Sequence, residues 1–296
     1  MMRLNKSILL SCFLIVILIG SLLTYHYFFK EKDNNNLDTQ KPRSFAWFYH
    51  FSEYSISEIV EMMEKYSITE LFLSINGRNL NFADPSYNET YEKNLISFIS
   101  NMSNYEIKIS FMILEDPVFL DKWSHALIHL QGIQRFLERN ENIKIEGLHI
   151  DCEPQASSDW STWNFSQRTE AFNKYLLLLH NISNFSSFYP YSIEISAAVP
   201  WWYNEHGYSD QYPEILVNDL SFLVFMLYGG IGSKIDDFQK IEDELSQING
   251  VLGIGVTEFE NTTSIAFFRE ELISNYLLNE NFLGISIFSL NDLFEL

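Results

Sequence analysis

Between Phe45 and Phe288 the chain repeats one alternation eight times: a short run rich in β-branched and aromatic residues, then, in most intervals, a longer amphipathic stretch. The short runs are Phe45–Tyr49, Glu70–Ile75, Ile107–Leu114, Ile145–Ile150, Ser192–Val199, Phe222–Leu227, Val251–Val256 and Gly284–Phe288. The amphipathic stretches are Ser57–Tyr66, Tyr91–Met102, Asp121–Arg139, Ser166–Asn181, Asp236–Ile248 and Ser264–Leu278, and the interval after the fifth run holds only Pro213–Leu220. Short apolar runs bounded by turn residues read as strands, and apolar residues recurring with a period of 3.6 read as helices. Strands that alternate with helices build parallel sheets. Eight of them over about 250 residues have the size and rhythm of an α/β fold of one kind, a (β/α)8 TIM barrel. An open doubly wound sheet is the alternative, but it usually has fewer strands and often a Gly-rich first turn; neither feature occurs here. Leu296 follows the eighth run so closely that the last helix is expected to be short or missing. The barrel is assigned to residues 44–296, and a hydrophobic fraction of 47% supplies its core.

The segment before it is of another kind. Ile8 to Phe29 is nearly continuous apolar sequence, close to the ~20 residues that a helix needs to cross a bilayer. Arg3 and Lys6 precede it, and Tyr25, Tyr27, Phe28 and Phe29 close it as an interfacial aromatic belt does. The competing reading is a cleaved signal peptide, but no small-x-small site follows and the run is long for such a segment. The expectation is therefore an N-terminal transmembrane helix within residues 1–30, a polar linker over 31–43, a cytoplasmic N-terminus and an extracytoplasmic barrel.

A net charge of −20 argues against nucleic acid, whose binding rests on Lys and Arg clusters. It also disfavours strongly anionic polymers and leaves a neutral ligand as the better fit. Of the two cysteines, Cys12 lies in the apolar run and Cys152 near the fourth strand's end, so no internal disulfide is expected.

The segment that carries chemistry is Glu146-Gly-Leu-His-Ile-Asp-Cys-Glu-Pro154. Residues two apart in a strand share a face, so His149, Asp151 and Glu153 point one way and Leu148, Ile150 and Cys152 the other. In a barrel, the inward face at a strand's C-terminal end is where catalytic groups gather. Two carboxyls so spaced push one another towards a raised pKa, which keeps one protonated as a general acid requires. The plainer reading is a polar strand end facing water.

This segment resembles the Asp-Gly-x-x-x-Asp-x-Glu signature of the chitinase-like glycoside hydrolases of family 18. Ser196-Ala-Ala-Val-Pro200, Phe225-Met-Leu-Tyr228 and Gly284-Ile-Ser-Ile-Phe-Ser-Leu-Asn291 resemble that family's fifth, sixth and eighth strands. The resemblance implies that Glu153 protonates the glycosidic oxygen while the substrate's 2-acetamido oxygen attacks the anomeric carbon, one of the exceptions to the two-carboxylate scheme. Asp151 would orient the acetamido group and the Tyr228 hydroxyl would bond its carbonyl. The implied substrate is a β-linked N-acetylhexosamine glycan, with no metal and no cofactor. The sequence departs from the signature at Glu146 and His149, where the family carries Asp, and at Phe288, where it has a floor Trp.

Flat aromatics stack on sugar rings, which makes Trp160 and Trp163 after the fourth strand, and Trp201 and Trp202 after the fifth, candidates to face a sugar. Trp47, Phe288 and His149 join them as candidate substrate-binding residues, and ordinary packing is the competing reading for each. Tyr49, His50, Asn76, Arg78 and Glu115-Asp116 end or follow the first three strands and are weaker candidates for bonding hydroxyls. Glu258, after the seventh strand, opens an alternative: a retaining pair of Glu153 and Glu258 with carboxyls ~5–5.5 Å apart. A further alternative is a sugar-binding barrel without catalysis.

Overall fold

A computed structural model describes residues 42–203, 218–227, 245, 247–256, 262–277 and 279–294, all within the unit Pro42–Leu296. Its elements follow in order: β1 (Arg43–Phe48), α1 (Ile56–Lys65), β2 (Glu70–Ser74), α2 (Glu89–Ser103), β3 (Lys108–Ile113), α3 (Trp123–Arg139), β4 (Gly147–Ile150), α4 (Phe165–Ser186), β5 (Glu194–Pro200), β6 (Phe222–Met226), β7 (Gly250–Gly255), α5 (Thr262–Tyr276), β8 (Phe282–Phe288) and α6 (Leu290–Leu293). The eight strands are parallel and close on themselves, β1 pairing with both β2 and β8. The expected (β/α)8 barrel is the fold, and the element after β8 is a four-residue helix.

Two apolar layers build it. One face of each strand packs with the helices, and Leu148, Ile150 and Cys152 belong to this outer layer. The other face fills the barrel with Phe45, Trp47, Phe72, Met112, Phe222, Val224 and Val251. Phe45 stacks on Phe72 with centroids 4.8 Å apart. Small inward residues, Ser110, Ser196 and Ser286, leave room for these larger side chains.

The barrel's lower end is closed by charge. Arg43 bonds Glu70 at 2.6 Å and Glu194 at 2.8 Å, and its guanidinium lies over Phe45 and Phe222 at 4.8 and 5.1 Å. Arg43 was expected to end the linker; instead it opens β1, because Glu70 and Glu194 on the inward face hold its side chain across the barrel base. The eighth strand likewise begins two residues before Gly284. That residue has φ +149°, and a Cβ there would stand 1.9 Å from the Arg43 carbonyl oxygen, so only glycine lets β8 approach β1.

The expected membrane helix, Ile8–Phe29, lies outside the described residues, as does most of the helical stretch Asp236–Ile248. Among the described residues no helix is long and apolar enough to cross a membrane.

Candidate active site

The alternation read from β4 holds in space. His149 is inside the barrel, Asp151 follows at the mouth, and Glu153 comes next at the rim. Asp151 continues the ladder past β4, its N–H donating to the Ile113 carbonyl at 3.2 Å. Its side chain is buried, with 6% of the residue exposed. Burial, and then the charges of Glu153 and Glu115, push the Asp151 carboxyl well above the usual range, while a hydrogen bond from the Tyr49 hydroxyl pulls the other way. Burial pushes Glu153 up to about 7, against the pull of the Gln155 amide, which donates to its Oε2 at 2.5 Å. Two adjacent carboxyls that resist ionisation, one near neutrality, are what a general acid with an electrostatic partner requires.

Two further residues complete the group. Tyr49 follows β1 on the same face as Trp47; its hydroxyl bonds Asp151, and its backbone N–H donates to Asn291 Oδ1 at 2.9 Å. Burial and the carboxylates Asp151, Glu115 and Glu153 hold the phenol well above its ordinary value, so it stays a donor. Glu115 accepts from the Ser74 hydroxyl at 2.5 Å, and partial loss of hydration raises its pKa although the residue is exposed. Leu114 explains its position: with φ +60° it turns the chain, so that Ile113 and Leu114 both face the outer layer. The next residue, Glu115, is thereby brought into the field of Asp151 and Tyr49.

Beneath the carboxyls the barrel is buried and aromatic. His149 has no exposed surface, stacks on Phe72 at 3.9 Å, and shares a hydrogen bond between Nδ1 and Ser196 Oγ at 3.0 Å. Burial lowers its pKa to about 3, which keeps it neutral. Trp47, also without exposed surface, packs edge-on against Phe72, His149 and Phe288. Both were expected to face a sugar; the structure places them in the interior, where they have no surface to offer and form the floor under Asp151. Phe288, half-buried at the end of β8, covers that floor and packs on Tyr49 at 5.9 Å. Glu146 lies at the opposite end of β4, 3.6 Å from Lys108, so this departure from the signature leaves the carboxyl pair untouched.

Trp201 and Trp202 form a turn directly after β5 and are half-buried against the outer layer. Trp202 lies 6.2 Å from Trp160, which lies 5.8 Å from Trp163, giving an aromatic band beside the mouth. Tyr228 and Glu258 lie outside the described residues. No group of His, Cys, Asp and Glu among the described residues is placed to hold a metal ion.

No family model matches the chain, and no curated protein matches it. Solved structures do. A GH18 chitinase from Pseudoalteromonas aurantia superposes with a TM-score of 0.58 at 15% identity, covering 83% of this chain and 93% of that one. The two share the closed eight-stranded barrel fold. A β-glucosidase from Exiguobacterium marinum gives a TM-score of 0.58 at 12% identity, over 81% of this chain and 77% of its own. A xylanase and α-amylase inhibitor protein from Scadoxus multiflorus gives 0.51 at 12% identity, over 83% and 92%. The chitinase-like resemblance read at β4 thus has its counterpart in the backbone, at identities that speak for fold alone.

Proposed function

We propose that the protein is a membrane-anchored, extracytoplasmic glycoside hydrolase that cleaves a β-linked N-acetylhexosamine glycan with retention. Glu153 donates the proton to the glycosidic oxygen and later recovers it from water. Asp151, held by Tyr49, orients the 2-acetamido group whose oxygen closes on the anomeric carbon. Tyr228 is the further hydroxyl that the chitinase-like pattern assigns to that carbonyl. The observation that carries this reading is Glu153 at the mouth of the barrel, its carboxyl pushed up to about 7 beside the buried Asp151. A proton held near neutrality is both available to a leaving group and recoverable.

His149 changes how Asp151 is served. In place of a second acid beneath it, Asp151 has a neutral imidazole bonded to Ser196 and a phenol hydroxyl above. Tyr49 is then the group that holds Asp151 in place.

The test is a panel of chromogenic β-glycosides with and without the 2-acetamido group, assayed with the full-length chain and with Glu153→Gln. Cleavage confined to the acetamido sugars, lost in Glu153→Gln, supports assisted attack. Equal cleavage of both classes points instead to a second carboxylate such as Glu258. The inhibitor protein with the same barrel favours one other reading, a sugar-binding protein without turnover; glycan binding with no hydrolysis anywhere on the panel selects it.

A further inference from the structure

A cleft of about 500 Å³ opens on the outer side of the loop that follows β4, between the turn after β3 and the first turns of α4. None of Tyr49, Glu115, Asp151 and Glu153 lines it. Its walls are fixed by their own bonds. Asp116 Oδ1 accepts from the Val118 N–H at 2.8 Å, and the Cys152 thiol donates to the Asp116 carbonyl at 3.6 Å, tying the β3 loop to β4. The opposite wall is set by the capping box of α4, in which Asn164 and Gln167 each accept from the other's backbone N–H. A cleft held open in this way costs little to order when a ligand enters.

The lining selects a ligand class. Trp163 is half-buried, with its ring set against Trp160 at 59°. Around it stand the carboxylates Asp116, Asp121, Asp159 and Glu170 with a single cation, Lys174, already bonded to Asp121 at 2.9 Å and Glu170 at 3.0 Å. This excess of negative charge repels anions. A lipid or other apolar ligand would strip water from these charges without replacing it, and no metal-holding group occurs among the described residues. A flat aromatic beside several acceptors matches a ligand with an apolar face and a rim of hydroxyl donors.

We propose that this cleft is a second saccharide-binding site, separate from the carboxylate pair and selective for neutral or amine-bearing sugars over acidic ones. The C–H face of a ring stacks on Trp163 while its hydroxyls donate to Asp159 and its neighbours. A glycan polymer held here keeps its other segments near the barrel mouth at a raised effective concentration. The inference does not depend on hydrolysis at Glu153.

It is tested by calorimetric titration of the full-length Glu153→Gln chain, which cannot turn the ligand over on the proposed mechanism. The ligands are a β-1,4-linked N-acetylglucosamine tetramer, its deacetylated glucosamine counterpart and a hexuronic acid tetramer. The neutral and amino tetramers are expected to bind and the acidic one is not. Adding Trp163→Ala weakens binding at this site by about tenfold or more, the range of an aromatic anchor, and Trp163→Tyr restores most of it. Asp159→Ala, at an exposed turn position whose side chain makes no capping bond, weakens binding several-fold without risk to the core. Binding unchanged in all three variants, equal binding of the acidic tetramer, or no binding at all overturns the proposal. Hydrolysis by the chain with Glu153 intact is read separately, so cleft binding without turnover removes the catalytic reading and leaves this one standing.

Discussion

Replacing Glu153 by Gln should stabilise the fold at alkaline pH while removing activity. In the folded chain the Glu153 carboxyl is pushed from its ordinary 4.5 up to about 7, with burial as the main cause. A group whose folded pKa is raised favours the fold fully below its unfolded pKa. That contribution is lost as pH rises through the folded value, so the window here runs from about 4.5 to about 7. At about 1.4 kcal/mol for each tenfold change in proton affinity, the full loss is about 3 kcal/mol. The partly exposed edge of Glu153 reduces this to about 1–3 kcal/mol. Glutamine mimics the protonated acid in shape, and its amide oxygen can still accept from Gln155. The variant should therefore match the wild type at pH 4 and melt about 2–12 °C higher at pH 8, taking ~2–4 °C per kcal/mol for a domain of this size. Thermal unfolding of both proteins at the two pH values reads this directly. An identical melting difference at pH 4 and pH 8 would refute the burial argument for Glu153.

Tyr49→Phe removes the hydroxyl that favours ionised Asp151. The acidic limb of kcat/KM should move to higher pH and its maximum should fall about 10- to 100-fold, the worth of a hydrogen bond to a charged group; an unmoved limb contradicts the positioning role. His149, lowered to about 3 by burial, should show only neutral imidazole signals in nitrogen NMR from pH 8 down to pH 5, and a protonated form at pH 6 would contradict its place in the buried floor. Arg43→Ala strands Glu70, whose side chain is 4% exposed, and should cost about 3–5 kcal/mol. Glu194→Gln should cost under about 1 kcal/mol because that side chain is 40% exposed. Calorimetric melting of the two variants separates these outcomes, and equal small losses would show that Arg43 does not close the barrel base.

Much of this was legible in the sequence, because a barrel strand announces itself by its apolar run and its two faces by parity. Parity alone placed Asp151 and Glu153 together and sent Leu148, Ile150 and Cys152 to the outer layer. The same rule applied to β1 puts Tyr49 on the face of Trp47, but parity within one strand does not pair it with Asp151, three strands away. Glu115 was beyond parity, because Leu114 takes a positive φ that breaks the alternation. Arg43 read as linker because its partners, Glu70 and Glu194, are remote in sequence and meet it only when the barrel closes. Trp47 and His149 read as sugar-facing because inward residues near a strand end are often exposed. Their depth depends on how far the rings of Phe72 and Phe288 fill the mouth, which no single strand reveals.

The central claim is that Glu153 works as a protonated acid at the mouth of the barrel. Its most direct test is the pH dependence of kcat/KM for a chromogenic β-N-acetylhexosaminide, measured on the full-length chain and on Glu153→Gln. The account predicts an alkaline limb near pH 7, set by the carboxyl pushed up to about 7, and loss of turnover at every pH in the variant. Turnover that keeps rising through pH 8, or a Glu153→Gln chain as active as the wild type, would contradict it.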